Sequence, residues 1–302
     1  MTRIFAVLVT YHPRLERLER VLARVRPQVA DLLIVDNASS NAAEVAALVE
    51  QHGARFTGLP DNAGLGRAHN LGIAQARVAG AEAVLLLDQD SVPEPDMVSE
   101  LDRALRHAGE DGWKVGAAGA RYTGAHAGDV SEFVRFGWFK FRRVPCTAEA
   151  ARVRADFLIS SGSLVPMRVL DDVGGMDEDF FIDHVDTEWF LRAAAKGYAF
   201  VGACAARMSH GLGERTQRLW LGRWRHVPRH RPFRYYYIFR NSVLLYRRPY
   251  APARWMVNDI VRLSLLVLFV GLPSLRDGTL RMMLKGLNDG RKGVTGPAVA
   301  PS

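Results

Sequence analysis

Asp88, Gln89 and Asp90 set two carboxylates two residues apart at the end of the apolar run AVLLLD and just before Ser91 and Pro93. Like charges held this close do little for folding, so the pair suits neutralisation by a divalent cation. Hard oxygen donors fit Mg²⁺ or Mn²⁺, which keep several waters and bind through one or two carboxylates and the phosphates of a substrate. A solvated turn is the other reading of the same residues. A second acidic cluster runs from Asp177 to Glu188 and holds six carboxylates in twelve residues. Within it Asp183 and Asp186 flank an expected helix start, where the helix dipole stabilises a carboxylate and Asp183 can act as the N-cap. The small residues SSGS upstream leave room for a sugar, so a carboxylate of this cluster can also take a proton from an incoming hydroxyl.

Thr10-Tyr11-His12 follows the apolar run IFAVLVT, and Asp36-Asn37 follows LLIVD. Asp36-Asn37 with Ser39, Ser40 and Asn41 is equally good turn and N-cap chemistry. The stretch from Gly64 to Gly72 looks like a dinucleotide loop but fails that fingerprint, because His69 stands where a glycine is needed and the loop does not follow the first strand. Gly and Asn at a helix start can still hold phosphate or sugar oxygens on backbone N–H groups, and simple tight-turn geometry accounts for them as well.

These signals need strands that end together. Apolar runs at residues 4–10, 32–36 and 83–88 alternate with amphipathic stretches at 13–26, 41–51 and 95–107, the order of a doubly wound sheet with crossover helices. Ligands bind such sheets at the carboxyl ends of the strands. A weak strand precedes the glycine loop, a helix starts near Gly66, residues 156–166 read as a strand, and a helix from about Val185 to Lys196 stops at Gly197. Residues 115–145 lack a clear period and predict further strands and a loop.

The 302 residues are 48% hydrophobic and 24% charged, which excludes a disordered tail, a collagen-like repeat and a disulfide scaffold. Cys146 and Cys204 form no CxxC and read as buried thiols of a reducing compartment. The start, MTRIFAVLVTYHP, is apolar too briefly for a signal peptide, so a cytoplasmic location is expected. Net charge is +8 but unevenly spread: eighteen Lys/Arg face four Asp/Glu from residue 200 onward, against 22 and 28 before it. Such a basic end can meet nucleic acid, an anionic membrane or an acidic substrate. Residues 216–302 read as a second region, rich in Arg, Trp and Tyr. Its apolar run Leu263 to Leu272 is about half of a bilayer span. Arg254, Asn258 and Arg262 repeat every four residues beside Trp255, Met256, Ile260 and Val261, which suits an interfacial helix with Arg heads at lipid phosphates, or a core helix.

In order, VTYHP, VDNAS, DNAGLGRAHNLGI, LLLDQDS, VGGMDEDFFIDHVDTEWFLR and MSHGLGE resemble the inverting family 2 glycosyltransferases with the GT-A fold, in their bacterial rhamnosyltransferase branch. RYYYIFRN and GLNDGRKG extend the resemblance along nearly the whole chain. It implies a nucleotide-binding mixed, mainly parallel α/β sheet flanked by helices over residues 1–215, and a basic helical extension over 216–302 that meets the membrane surface. Thr10, Tyr11, Asp36 and Asn37 would hold the nucleotide, with Asn62, Gly64 and Asn70 shaping the same pocket. Asp88 and Asp90 look like the DXD pair, Asp90 as direct ligand of Mg²⁺ or Mn²⁺ and Asp88 nearer the ribose. His210 resembles a histidine that completes the metal site in several such enzymes, and is otherwise structural. The family's Glu-Asp base motif, aligned through Arg192, falls on Val185 and Asp186. The missing Glu leaves Asp186 as the base with Asp183 and Glu188 as rivals. Trp189 either stacks on an acceptor ring or packs the helix.

The resemblance implies transfer of L-rhamnose from dTDP-rhamnose to a lipid-linked or polysaccharide acceptor in cell-surface glycan synthesis. It places the enzyme peripherally on the cytoplasmic face of the inner membrane. Another donor such as UDP-galactofuranose or UDP-glucose is the nearest rival. A nucleic-acid-binding protein using the basic end would leave the paired acids idle, so no nucleic-acid partner is expected.

Overall fold

The run IFAVLVT forms strand β1 (Ile4–Thr10), buried along its whole length, as a strand covered on both faces must be. Helix α1 (Leu15–Val25) follows and turns Leu18, Val21, Leu22 and Val25 inward at helical spacing. Next come β2 (Asp31–Asp36), α2 (Ala42–Gln51), β3 (Arg55–Gly58), α3 (Leu65–Val78), β4 (Ala83–Asp88), β5 (Ser91–Pro93), α4 (Met97–Glu110) and β6 (Val115–Thr123). The less periodic middle gives β7 (Phe133–Phe136), β8 (Phe141–Val144), β9 (Arg152–Ala155), β10 (Ser163–Pro166) and α5 (Met167–Val173). Helix α6 (Val185–Ala195) and β11 (Ala199–His210) follow, then β12 (Thr216–Trp220), β13 (Trp224–Pro228), α7 (Pro232–Tyr246), α8 (Ala253–Leu266) and α9 (Thr279–Lys292). This computed structural model describes residues 2–123, 132–138, 140–147, 151–210, 216–220 and 224–298, with side chains of 210–228 outside that description.

Among the described residues nine strands form the main sheet in the order β3-β2-β1-β4-β10-β6-β11-β5, with β9 also on β11. The strands from β3 to β4 are parallel, as are β6 and β11, while β10 runs antiparallel to both β4 and β6. The sheet is therefore the expected mixed one. The strand read at 156–166 is shorter than its apolar run: only Ser163–Pro166 joins the sheet. Helix α3 lies close on β1, where a Cβ on Gly72 would come within 2.3 Å of Val7 Cγ1. His69 on the same helix is fully buried, and burial lowers its imidazole to about 4.

The chain divides into two compact units, Met1–Arg135 with Arg143–Phe181 and Val185–Gly211, and Phe136–Arg142 with Ile182–His184 and Leu212–Ser302. In the first, Cys146 and Cys204 are joined as a disulfide with Cα atoms 5.5 Å apart, which corrects the expectation of separate thiols. Their 58-residue separation hid a proximity that only the folding of β9 against β11 creates. In the second, Tyr235, Ile238, Phe239, Leu263, Val270 and Met283 form the core. Gly286 and Gly290 let α9 touch α7, since Cβ atoms there would stand 2.4 Å and 2.7 Å from the carbonyl oxygens of Tyr236 and Arg240.

Two readings of this second region change. Arg254, Asn258 and Arg262 do not present a common polar stripe outward. Asn258 is buried and donates to Gly137 O at 2.8 Å, and Arg262 pairs with the buried Asp259 at 2.6 Å and reaches His184 Nε2 at 3.0 Å. The outward face is mainly apolar instead: Val257, Ile260, Val261, Leu265, Leu268 and Leu272 are exposed, with Arg254 and Ser264 among them. Helix α8 also runs on through a π turn and a 3₁₀ turn, so the helical stretch Ala253–Ser274 has 22 residues and is twice the length its apolar run implied. The aromatics of RYYYIFRN are buried, with Tyr236 donating to Asp289 at 3.0 Å, and offer no stacking surface to bases.

His184 shares the situation of His69, lowered to about 4 by burial. Between about pH 6.5 and 4 the unfolded chain binds protons at both sites while the folded chain does not, so stability falls as pH drops through that window. Urea midpoints measured from pH 7 to 5 should decline, and His69→Gln should make the decline shallower.

Candidate active site

Because β1, β2 and β4 are parallel neighbours, their carboxyl ends share one edge of the sheet. Thr10 lies opposite Asp36, and Val9 opposite Asp88. Strand β10 runs the other way, with Ser163 opposite Leu86, so its beginning and the preceding Ser160, Ser161 and Gly162 come to that same edge. Gly162 donates its N–H to Leu86 O at 2.8 Å.

Asp36 has no exposed surface, and a buried carboxylate must be satisfied by donors. It accepts from Thr10 Oγ1 at 2.7 Å, Ser39 Oγ at 2.6 Å and Ser39 N at 2.8 Å. Thr10 and Asp36 thus hold the first two loops to each other. Asn37 donates to Asn62 Oδ1 at 2.9 Å and accepts from Ala63 N at 2.9 Å, while Asn62 Oδ1 also takes the N–H of Gly64 at 3.1 Å. Gly64 has φ 86° and lies against Phe181, whose backbone would be 2.7 Å from a Cβ there. Asn70, expected in the nucleotide pocket, instead clamps the acidic loop. Its amide donates to Met176 O at 2.9 Å and Glu178 Oε1 at 2.8 Å and accepts from Met176 N at 2.7 Å. Tyr11 is 46% exposed at this edge.

Between the paired acids, Gln89 is tied to the first loop: Tyr11 N donates to its Oε1 at 2.7 Å and its Nε2 donates to Tyr11 O at 3.2 Å. Arg17 donates to Asp90 O at 3.1 Å. Asp88 N donates to Ser161 Oγ at 3.0 Å, and Ser161 Oγ donates to Ser91 Oγ at 2.7 Å. The backbone of His210 pairs with Ser91 at the end of β11, beside this turn; its side chain and residues 211–214 lie outside the described residues. Among the described residues no three His, Cys, Asp or Glu side chains gather as a metal cage. Two half-buried carboxylates at a strand end are the donor set of a Mg²⁺ or Mn²⁺ that completes its shell with water and phosphate, so the residues fit such an ion.

Asp186 lies in the first turn of α6, where Thr187 N donates to its Oδ1 at 2.7 Å and Ser160 N reaches its Oδ2 at 3.4 Å. Ser160 and Ser161 are consecutive, so Asp88 and Asp186 are joined through two adjacent residues. The rival acids are committed elsewhere. Glu188 is buried and grips Arg192 at 2.7 Å and 3.0 Å, and Asp183 holds Arg234 at 2.6 Å and 3.3 Å. Trp189 has no exposed surface and donates its indole N–H to Gly174 O at 2.8 Å, so it packs the helix. Sequence reading missed the bridging work of Ser160 and Ser161, which it took only as small residues. The signal was present in a hydroxyl-rich SSGS placed directly before a strand.

The profile of Glycosyl transferase family 2 matches residues 6–163. The chain belongs to glycosyl transferase family 2. This glycosyltransferase is 27% identical over 297 residues to the dTDP-rhamnosyl transferase RfbF of Shigella flexneri, covering 98% of this chain and 97% of that protein. The structure of S. aureus TarS 1-349 in complex with UDP-GlcNAc superposes with a TM-score of 0.61 at 13% identity, covering 97% of this chain and 82% of that one. GalNAc-T7 with UDP, GalNAc and Mn²⁺ gives 0.57 at 13% identity over 70% of this chain, which spans 44% of GalNAc-T7. At such identities the likeness concerns the fold, which is GT-A.

Within the family member's α6, Glu188 and Arg192 serve stability. Glu188→Ala leaves the guanidinium without its carboxylate in a largely buried place and should cost about 3 kcal/mol in chemical denaturation.

Proposed function

We propose that this glycosyltransferase moves L-rhamnose from dTDP-rhamnose onto a lipid-linked or polysaccharide acceptor by a single inverting displacement. The donor rests on the likeness to RfbF along nearly the whole of both chains. The displacement rests on one observation: the Ser160-Ser161 segment carries Asp186 on one residue and the backbone of Asp88 on the next. A donor whose diphosphate lies at Asp88 and Asp90 then has its sugar over these serines, with Asp186 beyond it.

Asp186 takes the proton of the acceptor hydroxyl as that oxygen attacks the anomeric carbon, and the nucleoside diphosphate departs on the opposite face. The N–H groups of Thr187 and Ser160 hold the carboxylate in place. Tyr11 borders the nucleotide with Asn37, Asn62 and Gly64 behind it. Mg²⁺ or Mn²⁺ would be held by Asp90, with Asp88 nearer the ribose and His210 as a further ligand, and would supply positive charge beside the diphosphate. The chemistry belongs to residues 1–215 and surface attachment to 216–302.

Attachment is to the cytoplasmic face of the inner membrane through the exposed side of Ala253–Ser274. Trp255, Asn258, Asp259 and Leu263 are buried while Val257, Ile260, Leu265, Leu268 and Leu272 are exposed, an apolar stripe on one side only. A helix lying in the interface uses one such side, whereas a spanning helix would carry Asp259 and Arg262 into the hydrocarbon.

Thermal stabilisation by dTDP should exceed that by UDP and should grow with Mn²⁺; no stabilisation by either, with or without metal, would remove the donor site. Asp186→Asn should lower kcat by about a hundredfold or more with dTDP binding retained, and Asp90→Ala should abolish the effect of Mn²⁺ on that binding. Sedimentation with anionic vesicles should fall about tenfold for Leu265→Asp with Leu268→Asp, and unchanged sedimentation would exclude this face.

A further inference from the structure

Beside Ser161 lies a cavity of about 110 Å³ that the displacement leaves unused. Ala120, Phe133, Val134, Phe157, Leu158 and Ile159 form most of its wall, with Gly119, Tyr122, Glu132 and Ser161. Its size decides much. Sites that enclose a whole ligand run to about 300 Å³ or more, so a complete sugar or a polyprenyl chain is too large, while a methyl group with part of a ring fits. Its chemistry decides more. The Ser161 hydroxyl accepts from Asp88 N and gives its own proton to Ser91, and Glu132 faces Arg143 at 3.7 Å. The rest of the wall is largely hydrocarbon.

Position settles which substrate meets it. Ile159 and Ser161 line the cavity, and Ser160 between them turns its N–H to Asp186. The cavity therefore borders the Ile159-Ser160-Ser161 segment, over which the transferase reading lays the transferred sugar. We infer that this cavity receives the apolar C6 methyl of a 6-deoxyhexose and selects such a donor over one that carries a 6-hydroxyl. The inference rests on the transferase reading above and refines it: a hydroxymethyl placed there exchanges water for hydrocarbon, whereas a methyl loses nothing.

The test uses the purified full chain and matched donor pairs, a 6-deoxyhexose and its 6-hydroxy counterpart on the same nucleotide, prepared with dTDP and with UDP. An apolar pocket discriminates only modestly against an added hydroxyl, so kcat/KM for the deoxy member should be higher by about tenfold to a hundredfold. This comparison on the unaltered protein needs no variant to fold. Val134→Thr and Ile159→Thr, which add a hydroxyl to the wall, should each narrow the ratio by about threefold or more, with stabilisation by dTDP alone unchanged. Equal kcat/KM for the two members, or preference for the hydroxymethyl sugar, overturns the role of the cavity and leaves sugar transfer standing. No transfer or hydrolysis from any donor overturns the transferase reading, and this inference falls with it.

Discussion

The arrangement depends on one reversed strand. If β10 ran parallel to β4 and β6, its hydroxyl-bearing start would lie at the amino edge of the sheet, remote from the acids. Running antiparallel, it delivers Ser161 to Asp88 and Ser160 to Asp186 through main-chain N–H groups and a single hydroxyl. Side chains from residues about a hundred apart in sequence are thereby held by backbone, which is stiffer than any pair of flexible side chains reaching for each other.

A second constraint comes from charge out of water. Asp36 and Glu188 are both fully enclosed, and each is compensated by local partners, hydroxyls and an N–H for the first and a guanidinium for the second. Such groups shape loops. Conversely Asp88, Asp90 and Asp186 remain half-buried at the sheet edge.

Much of this was legible in the residues themselves. The three apolar runs became β1, β2 and β4 nearly to the residue, because a strand buried on both faces must be apolar throughout, and the DXD-like turn follows directly from the end of β4. The amphipathic stretches became α1, α2 and α4 for the same reason of burial on one side. What escaped reading depends on contacts between distant segments. Asn70 looks like a ligand-binding amide until Met176 and Glu178 arrive beside it, and Trp189 looks like a stacking platform until Gly174 claims its N–H. The Cys146–Cys204 bond and the inward turn of Asn258 and Arg262 escaped likewise, since neither has a local signature.

The ends of the main sheet carry a further consequence. Its order closes on β3, four residues long, and on β5, only three. A strand border this brief gives a neighbouring chain few unpaired amides and carbonyls to extend, so crowded copies have little opportunity to merge through their sheets into aggregates.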